Sequence, residues 1–254
     1  MTKSIIPDSH PRAKSLHIRE KLAHAFDEGL VAKEGLMAHG RGEAFDYLIG
    51  EKTSKAAKKA IKIAAFMLIS AKDPVISVNG NIAGLCPREI IELAKISRSK
   101  IEINLFYASQ KRRQNILKAL KKNGAKQVFG MEEKHLVKLS GLDSARRMVD
   151  KNGIYTADVV LVPLEDGDRT LALKKTGKKV ITFDLNPLSR TAQTADVTIV
   201  DNVIRGIREL INACKIMKQK KPSQIKFDNK KNLDQAIIEI RNYLTKRANH
   251  AQIS

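Results

Sequence analysis

The sequence predicts an α/β protein, with a Rossmann-like, mostly parallel sheet flanked by helices, an added N-terminal helical region and a C-terminal helix. After Pro74, short β-branched runs alternate with helical stretches, as expected for a parallel sheet wrapped by helices. Several runs, such as VVLVPL and VTIV, are almost continuously apolar, which is typical of strands buried on both faces. The 254 residues, of which 43% are hydrophobic, suffice for one sizeable core.

The region before Pro74 is predicted to be helical. Apolar residues recur with helical spacing over residues 15–30, where a helix end is expected near Gly29, and over residues 53–71, where Pro74 stops the helix. The segment HGRGEAFDYLIGE, which starts at His39, is predicted to be a loop that enters a helix.

The predicted core contains five or six strands. Their runs start at Val75, Ile101, Gln127, Asp158, Lys179 and Asp196. Helices are expected over residues 87–96, with proline in the first turn, and over the basic amphipathic stretch 110–122. The expected organisation is one structural domain with three parts: an N-terminal helical region (1–72) packed on the core, a Rossmann-like core (73–214), and a basic hinge with a C-terminal helix (215–254).

Charge limits the possible partners. The chain carries 47 Lys and Arg against 27 Asp and Glu, a formal net charge of +20, which attracts phosphate-bearing ligands of any size. Nucleic-acid binding is therefore an alternative, although aromatic residues make up only 4% of the chain and Trp is absent. Few side chains can stack on bases, and the basic residues are dispersed over helical stretches, where solvated helix faces are the commoner explanation.

Other classes are disfavoured by missing patterns. The longest apolar run, residues 61–71, is shorter than the ~20 residues that span a bilayer. The first residues lack the apolar stretch of a secretory signal, and the only cysteines, Cys86 and Cys214, lie far apart, so a cytoplasmic protein with reduced thiols is expected. Cys86 is expected to be a buried small hydrophobe. Zinc-binding, P-loop, G-x-G-x-x-G and G-x-S-x-G patterns are absent.

In an open α/β sheet, ligands bind outside the carboxyl ends of the strands. The residues at these predicted ends, most of them polar, are Asn79, Gly80 and Asn81; Glu165, Asp166, Asp168 and Arg169; Asp184, Leu185 and Asn186; and Asp201 and Asn202. Asn-Gly is also an ordinary turn, so the first group has a purely structural alternative. In EDGDR, three carboxylates within four residues favour a cation, either Arg169 or a divalent ion, unless solvent alone screens them.

Two further segments are candidates for nucleotide binding. In DLNPLSRT, Asp184 can accept hydrogen bonds from a ribose or an adenine amino group, while Ser189, Arg190 and Thr191 can begin a helix that faces phosphate. Simple helix capping by Ser and Thr is the alternative. In HGRGE, two glycines around Arg41 would let backbone and guanidinium approach a polyphosphate together, unless Arg41 is an ordinary loop arginine.

Seven blocks between residues 9 and 244 resemble those of the archaeal phosphopantothenate synthetases, also called 4-phosphopantoate–β-alanine ligases. These blocks are SHPRAKSLHIRE, HGRGEAFDYLIGE, ISVNGN, EINLFY, VPLEDGDR, DLNPLSRTA and TIVDN. The resemblance implies a homodimer that condenses 4-phosphopantoate with β-alanine on the route to coenzyme A. It also implies ATP as a substrate, release of AMP and diphosphate, and a phosphopantoyl adenylate intermediate.

The resemblance also implies site residues. The ATP-binding positions would be Arg19, Arg41, Asp184, Leu185, Asn186, Arg190, Thr191, Asn202 and Val203. Arg19 is the one that strand-end reasoning misses, because it reads as an ordinary helix arginine. Mg²⁺ is expected with ATP, and Glu165, Asp166 and Asp168 are its candidate ligands.

Asn79 and Arg169 are candidates for a catalytic role, Arg169 as the cation for the substrate phosphate. No substrate contact is inferred from segments 108–113 and 126–145, which are lysine-rich here. Membrane association is not expected, and nucleic acid is expected only through non-specific electrostatics. Two alternatives stay open: another nucleotide-using α/β enzyme, such as a kinase or nucleotidyl transferase, and a basic nucleic-acid-binding protein.

Overall fold

The computed structural model describes residues 6–10, 12–141, 144–219 and 226–251. The α-helices in these residues are α1 (Ala13–Asp27), α2 (Lys33–Leu48), α3 (Lys55–Ser70), α4 (Gly80–Leu85), α5 (Pro87–Ser97), α6 (Gln110–Lys122), α7 (Gly167–Lys175), α8 (Arg190–Thr194), α9 (Val203–Lys218) and α10 (Asn229–Ala251). The strands are β1 (Pro74–Val78), β2 (Lys100–Ile103), β3 (Leu136–Lys138), β4 (Met148–Asp150), β5 (Val159–Leu161), β6 (Lys179–Phe183) and β7 (Val197–Ile199). The predicted α/β fold is confirmed.

The main sheet has five parallel strands in the order β2-β1-β5-β6-β7. From β1 the chain continues outward to β2, whereas β5, β6 and β7 follow one another on the other side. The direction of winding therefore changes between β1 and β5. In such a sheet the crevice outside the strand ends at this point is where ligands bind.

Alternate side chains of each strand enter two separate cores. In β5, Val159 and Leu161 face one core while Val160 faces the other. In β6, Ile181 and Phe183 join the first core and Val180 the second. Because both faces are covered, these strands are largely apolar, as the sequence pattern indicated.

The N-terminal helices pack on this sheet. Helix α3 begins after Ser54, whose hydroxyl accepts a hydrogen bond from the Ala57 amide, 3.1 Å away. The small side chains of Ala60 and Ala64 are fully buried, so α3 lies close against α9 and β7. Helix α2 is tied to the loop after β7 and to α9 by Asp46, which binds Asn202 and Arg205.

Two local predictions differ from the structure, and one pair of strands was not predicted. The HGRGE segment is not a loop, because Gly40 and Gly42 lie inside α2. A Cβ on Gly42 would make an ordinary van der Waals contact with the Leu185 side chain, at 3.4 Å, so α2 packs on the loop after β6 at this position. The run at Gln127 forms only an isolated bridge, between Phe129 and Glu102. The antiparallel pair β3–β4 was not predicted.

The C-terminal helix is held by an asparagine. Asn229 Nδ2 donates to the carbonyl oxygens of Ala192 and Ala195, and its Oδ1 accepts from the Thr198 amide. Of the predicted basic hinge, residues 220–225 lie outside the described residues. In the part of the chain that is described, no helix is long and apolar enough to cross a membrane.

Candidate active site

A cleft of about 330 Å³ opens at the switch point between β1 and β5. Its walls come from the loops after β1, β2, β5, β6 and β7, and from α2 above them. The polar residues that line it are Glu34, His39, Glu43, Asn79, Asn81, Tyr107, Arg112, Arg146, Glu165, Asp166 and Asn202. The cleft therefore joins most of the strand ends at which the sequence predicted ligand binding.

The first wall is the turn after β1. Asn79 caps α4, because its Oδ1 accepts from the Ile82 amide at 3.0 Å. Its Nδ2 donates to the carbonyl oxygens of Pro163 and Leu164. The amide of this predicted catalytic candidate thus ties the loop after β1 to the loop after β5, which favours a positioning role.

Next to Asn79, a glycine makes room for an arginine. A Cβ on Gly80 would overlap both Nη2 of Arg112 and the Leu30 carbonyl oxygen. Arg112 lies here because its Nε donates to that carbonyl and its Nη1 to the Tyr107 carbonyl, each at 2.9 Å. The guanidinium lines the cleft.

The second wall is a buried network of charged residues. Glu165 forms close ion pairs with Arg146 through one carboxylate oxygen and with Arg169 through the other. Arg146 also contacts Asp166 at 3.3 Å, and Arg169 donates to the Ser77 hydroxyl at 3.1 Å. Glu165 thereby fixes two guanidinium groups at the end of β5.

The two arginines of this network differ in access to the cleft. Arg146 lines the cleft, whereas Arg169 is fully buried behind Glu165 and does not. Burial lowers the pKa of Arg169 to about 10, and burial together with the positive charge of Arg169 lowers the pKa of Arg146 to about 9. The structure thus does not support the prediction that Arg169 contacts the substrate phosphate directly.

A buried carboxylate stands behind the network. Glu102 is completely inaccessible and accepts hydrogen bonds from the backbone amides of Asp150 and Ile154, at 3.1 and 2.6 Å. Burial raises its pKa to about 7, although these hydrogen bonds and the charge of Arg169 act in the opposite direction. Glu102 fastens the end of β4 to β2 and so supports the segment that carries Arg146.

The loop after β6 is ordered by its own aspartate. Asp184 accepts from the Asn186 amide at 2.9 Å and from the Ser189 hydroxyl. Burial raises the pKa of Asp184, while these hydrogen bonds and the charge of Arg41 oppose the shift. Ser189 also caps α8, so the capping interpretation of this segment is confirmed, while nucleotide binding by it stays a prediction.

Helix α8 carries two of the predicted ATP-binding residues. Arg190 is exposed and forms an ion pair with Asp168 at 2.7 Å. Thr191 is buried, and its hydroxyl donates to the Glu165 carbonyl oxygen at 2.9 Å. Thr191 therefore links the loop after β6 to the charged network after β5.

The loop after β7 is connected to α2. Asn202 caps α9, since its Oδ1 accepts from the Ile204 amide at 3.0 Å, and its Nδ2 donates to Asp46. Arg205 also binds Asp46, at 2.7 Å, and pairs with the buried Asp201. Together with Leu185, the residues Asn202 and Val203 line the cleft at this end.

The arginines predicted from the N-terminal blocks lie beside the cleft. Arg19 binds Glu43 through two hydrogen bonds, of 2.7 and 2.9 Å, and Tyr47 and Arg12 contact the same carboxylate. Burial alone would raise the pKa of Glu43, but the hydrogen bonds from Arg19 and Tyr47 lower it. Arg41 is exposed on α2, near Asp184.

The carboxylates predicted to bind Mg²⁺ do not form a cation cage. Glu165 is paired with two arginines, Asp166 caps α7 and contacts Arg146, and Asp168 is paired with Arg190. Within the described ranges, no cluster of three or more acidic, His or Cys side chains is arranged to hold a metal ion. In this arrangement these residues do not fit a protein-held Mg²⁺ ion.

Sequence reasoning missed several residues of the cleft, among them Arg112, Arg146 and Glu43. Arg112 and the approach to Arg146 lie in lysine-rich segments where one arginine does not stand out. A local signal existed for Glu43, which lies one turn from His39 and Tyr47 on α2. Arg146 carried none, because its partner Glu165 is distant in sequence.

An open parallel sheet whose loops converge on a cleft at the switch point defines the doubly wound α/β proteins that bind ligands at strand ends. Comparison with known protein families is more specific than this fold class. The sequence family described as phosphopantothenate/pantothenate synthetase matches residues 56–243. The chain belongs to this family. The resemblance inferred from the seven sequence blocks is confirmed.

Relatives agree with the family match. The 4-phosphopantoate–β-alanine ligase of Thermococcus kodakarensis is 48% identical over 249 residues, which cover 96% of this chain and 95% of the relative. That of Methanosarcina mazei is 46% identical over 244 residues, 94% of this chain and 95% of the relative. That of Methanospirillum hungatei is 50% identical over 210 residues, 83% of this chain and 85% of the relative.

Proposed function

We propose that this protein is an ATP-dependent ligase that condenses 4-phosphopantoate with β-alanine to 4′-phosphopantothenate in coenzyme A biosynthesis. The family match and the names of the relatives support the proposal. The observation that carries it structurally is a cleft that joins the loops after β1, β5, β6 and β7. Such a cleft can bring a nucleotide and an acid together at one place.

The nucleotide would lie toward β6 and β7. In the proposal Asp184 and Asn186 hold the ribose or adenine, and Leu185, Asn202 and Val203 form the wall beside them. Arg19, Arg41 and Arg190 would supply positive charge to the phosphates, and Thr191 would fix the start of α8. Arg19 would have to turn from Glu43, or bind phosphate while still held by it, because both carboxylate oxygens of Glu43 now accept from Arg19.

The chemistry divides a difficult amide synthesis into two steps. A carboxylate oxygen of the acid attacks the α-phosphorus of ATP, and the bond to diphosphate breaks to leave an acyl adenylate. The amine of β-alanine then attacks the acyl carbon, the bond to AMP breaks, and the amine loses a proton. Cationic side chains would stabilise the charge that develops on the phosphate oxygens in the first step.

Two earlier candidates take indirect roles in this proposal. Both ends of the Asn79 amide are engaged, and Arg169 is buried behind Glu165. We therefore assign both as positioning residues rather than as groups that touch substrate. Mg²⁺ stays in the proposal as the ion that ATP carries on its phosphates, since Glu165, Asp166 and Asp168 are engaged by arginines or a helix cap.

The test is an assay with purified protein, ATP, Mg²⁺, 4-phosphopantoate and β-alanine, which quantifies phosphopantothenate and the released nucleotide. Phosphopantothenate with stoichiometric AMP is the expected result. Release of ADP would indicate an acyl phosphate intermediate in place of the adenylate. Phosphorylation of the acid without amide formation would indicate a kinase. An absence of product together with sequence-specific nucleic-acid binding at physiological salt would reject the ligase.

The nucleotide site can be tested with one pair of variants. Arg41→Gln removes a cation beside Asp184, so the KM for ATP should rise about tenfold, the usual order of effect for one lost charge-assisted contact. Arg241→Gln removes an exposed arginine of α10 that does not line the cleft, and it should leave the KM unchanged. Equal KM values for ATP in both variants would show that Arg41 does not contribute to ATP binding. Light scattering on the same preparations tests the proposed homodimer.

A further inference from the structure

Two arginines that no sequence motif indicated line the cleft on the side of β2. Arg112 comes from α6, and Arg146 comes from the turn of residues 145–147 that leads into β4. The loops after β6 and β7, where the nucleotide is proposed to bind, form the other side of the cleft. The two arginines are therefore placed to meet a different part of the reactants.

Arg112 presents an unneutralised charge. A guanidinium has five N–H groups, and two of those of Arg112 donate to the neutral carbonyls of Leu30 and Tyr107. In the described parts of the chain, no carboxylate lies within ion-pair distance of it. Burial lowers the pKa of Arg112, only partly offset by the charge of Glu34, so the cation stands where water screens it poorly.

Arg146 is held in place, but not all of its N–H groups have a hydrogen-bond acceptor. It is 7% exposed, Glu165 and Asp166 hold its Nη1, and its buried Nε has no acceptor in the described residues. The positive charge of Arg112 contributes to the lowered pKa of Arg146, so the two guanidinium groups lie close enough to repel each other. An anion bound between the two guanidinium groups would relieve this repulsion.

The local backbone is shaped for this arrangement. Gly80 leaves the space that Nη2 of Arg112 occupies at the end of β1. Glu165 fixes Arg146 on one side and Arg169 on the other, and neither of these contacts depends on a bound ligand. The pair of arginines is therefore held in place before any substrate arrives, which lowers the entropic cost of binding an anion.

We propose that Arg112 and Arg146 bind the phosphate monoester of the acid substrate and determine the preference for a phosphorylated over an unphosphorylated acid. The inference rests on the proposed ligase function and adds the residues that read the phosphate. Arg169 acts through Glu165 as a positioning residue for Arg146. The carboxylate of the same acid would then point toward the nucleotide side of the cleft.

The test compares two acids in the wild-type protein and in Arg112→Gln. With 4-phosphopantoate, kcat/KM should fall about 10- to 100-fold, as expected for one or two lost charge-assisted hydrogen bonds. With pantoate, kcat/KM should change little, so the ratio between the two acids collapses. The KM for ATP should stay within about threefold of wild type. Arg113→Gln and Arg147→Gln are matched controls, since these neighbouring arginines do not line the cleft.

Arg146 needs a milder change because it is buried. Arg146→Lys keeps the charge but loses the planar fork, so the dissociation constant of 4-phosphopantoate, measured by calorimetry without ATP, should rise while the melting temperature changes little. If wild type makes phosphopantothenate but Arg112→Gln leaves the ratio of kcat/KM for 4-phosphopantoate to that for pantoate unchanged, the inference about the arginines is wrong and the proposed function stands. A raised KM for ATP at a constant acid ratio would reassign the arginines to the nucleotide. Wild type without product would reject the proposed function itself.

Discussion

The side-chain amide of Asn202 donates a hydrogen bond to Asp46, with Nδ2 and Oδ2 3.0 Å apart. Asp46 lies near the end of α2, and Asn202 is the cap of α9 at the edge of the cleft. The same carboxylate binds Arg205 at 2.7 Å. The helix above the cleft and the loop after β7 are therefore joined by one buried side chain, which makes Asp46 a positioning residue for the proposed nucleotide wall.

Replacing Asp46 by alanine should weaken both the fold and the nucleotide site. The partly buried guanidinium of Arg205 would lose one of its two carboxylate partners. The free energy of unfolding of the protein should therefore fall by about 1–3 kcal/mol. The dissociation constant of ATP should rise because the Asn202 Nδ2 loses its acceptor and the loop after β7 loses its link to α2. Urea denaturation and calorimetry measure the two effects. Asp234→Ala, at an exposed position of α10, is the control, and equal stability of both variants would contradict the prediction.

Two glycines of the cleft region should respond oppositely to alanine. Gly80→Ala places a methyl group against the Leu30 carbonyl and Arg112, so the free energy of unfolding should fall by at least about 1 kcal/mol, as in other overpacked sites. Gly40 lies inside α2 with no atom within 4 Å of an added Cβ, so Gly40→Ala should raise that free energy by about 0.5–1 kcal/mol. Thermal denaturation measures the stability of both variants. Destabilisation by Gly40→Ala would argue against a helical HGRGE segment.

Elements with a clear local period could be predicted from the sequence. Helix α6 has the predicted bounds of residues 110–122, because a basic amphipathic face and a serine cap define it locally. The buried strands β5, β6 and β7 were predicted because their sequences are largely apolar and β-branched. The HGRGE segment was misread because two glycines so close together usually interrupt a helix, whereas here both lie inside α2.

The unpredicted parts depend on contacts between distant residues. Strands β3 and β4 have three residues each and include Lys138 and Asp150, so no alternation of useful length exists in the sequence. Arg146 is brought to the cleft by this hairpin and fixed by Glu165. The strand-end rule found Glu165 and Asp166, but it could not show that arginines rather than a metal ion compensate them.

Both cysteines should be chemically silent in the folded protein. Cys86 and Cys214 are fully buried, and burial raises the pKa of each thiol to about 12. At pH 8 only a very small fraction is thiolate, so a disulfide reagent should modify neither thiol in native protein and both after unfolding in urea. Rapid reaction of one thiol in the native state, mapped by mass spectrometry, would contradict the predicted burial. In the Cys86→Ser variant only Cys214 can react, so this variant shows which of the two thiols is modified.

The buried carboxyl group of Glu102 should make stability depend on pH near neutrality. Burial raises its folded-state pKa from 4.5 to about 7, so the folded protein holds a proton that the unfolded chain releases. The associated stability is therefore complete below about pH 4.5 and is lost as the pH rises through 7, by up to a few kcal/mol. Measured by urea denaturation between pH 5 and 8, the free energy of unfolding of wild type should fall relative to Glu102→Gln. Glu133→Gln, at an exposed position, should follow wild type, and parallel curves for all three proteins would show that Glu102 stays ionised throughout.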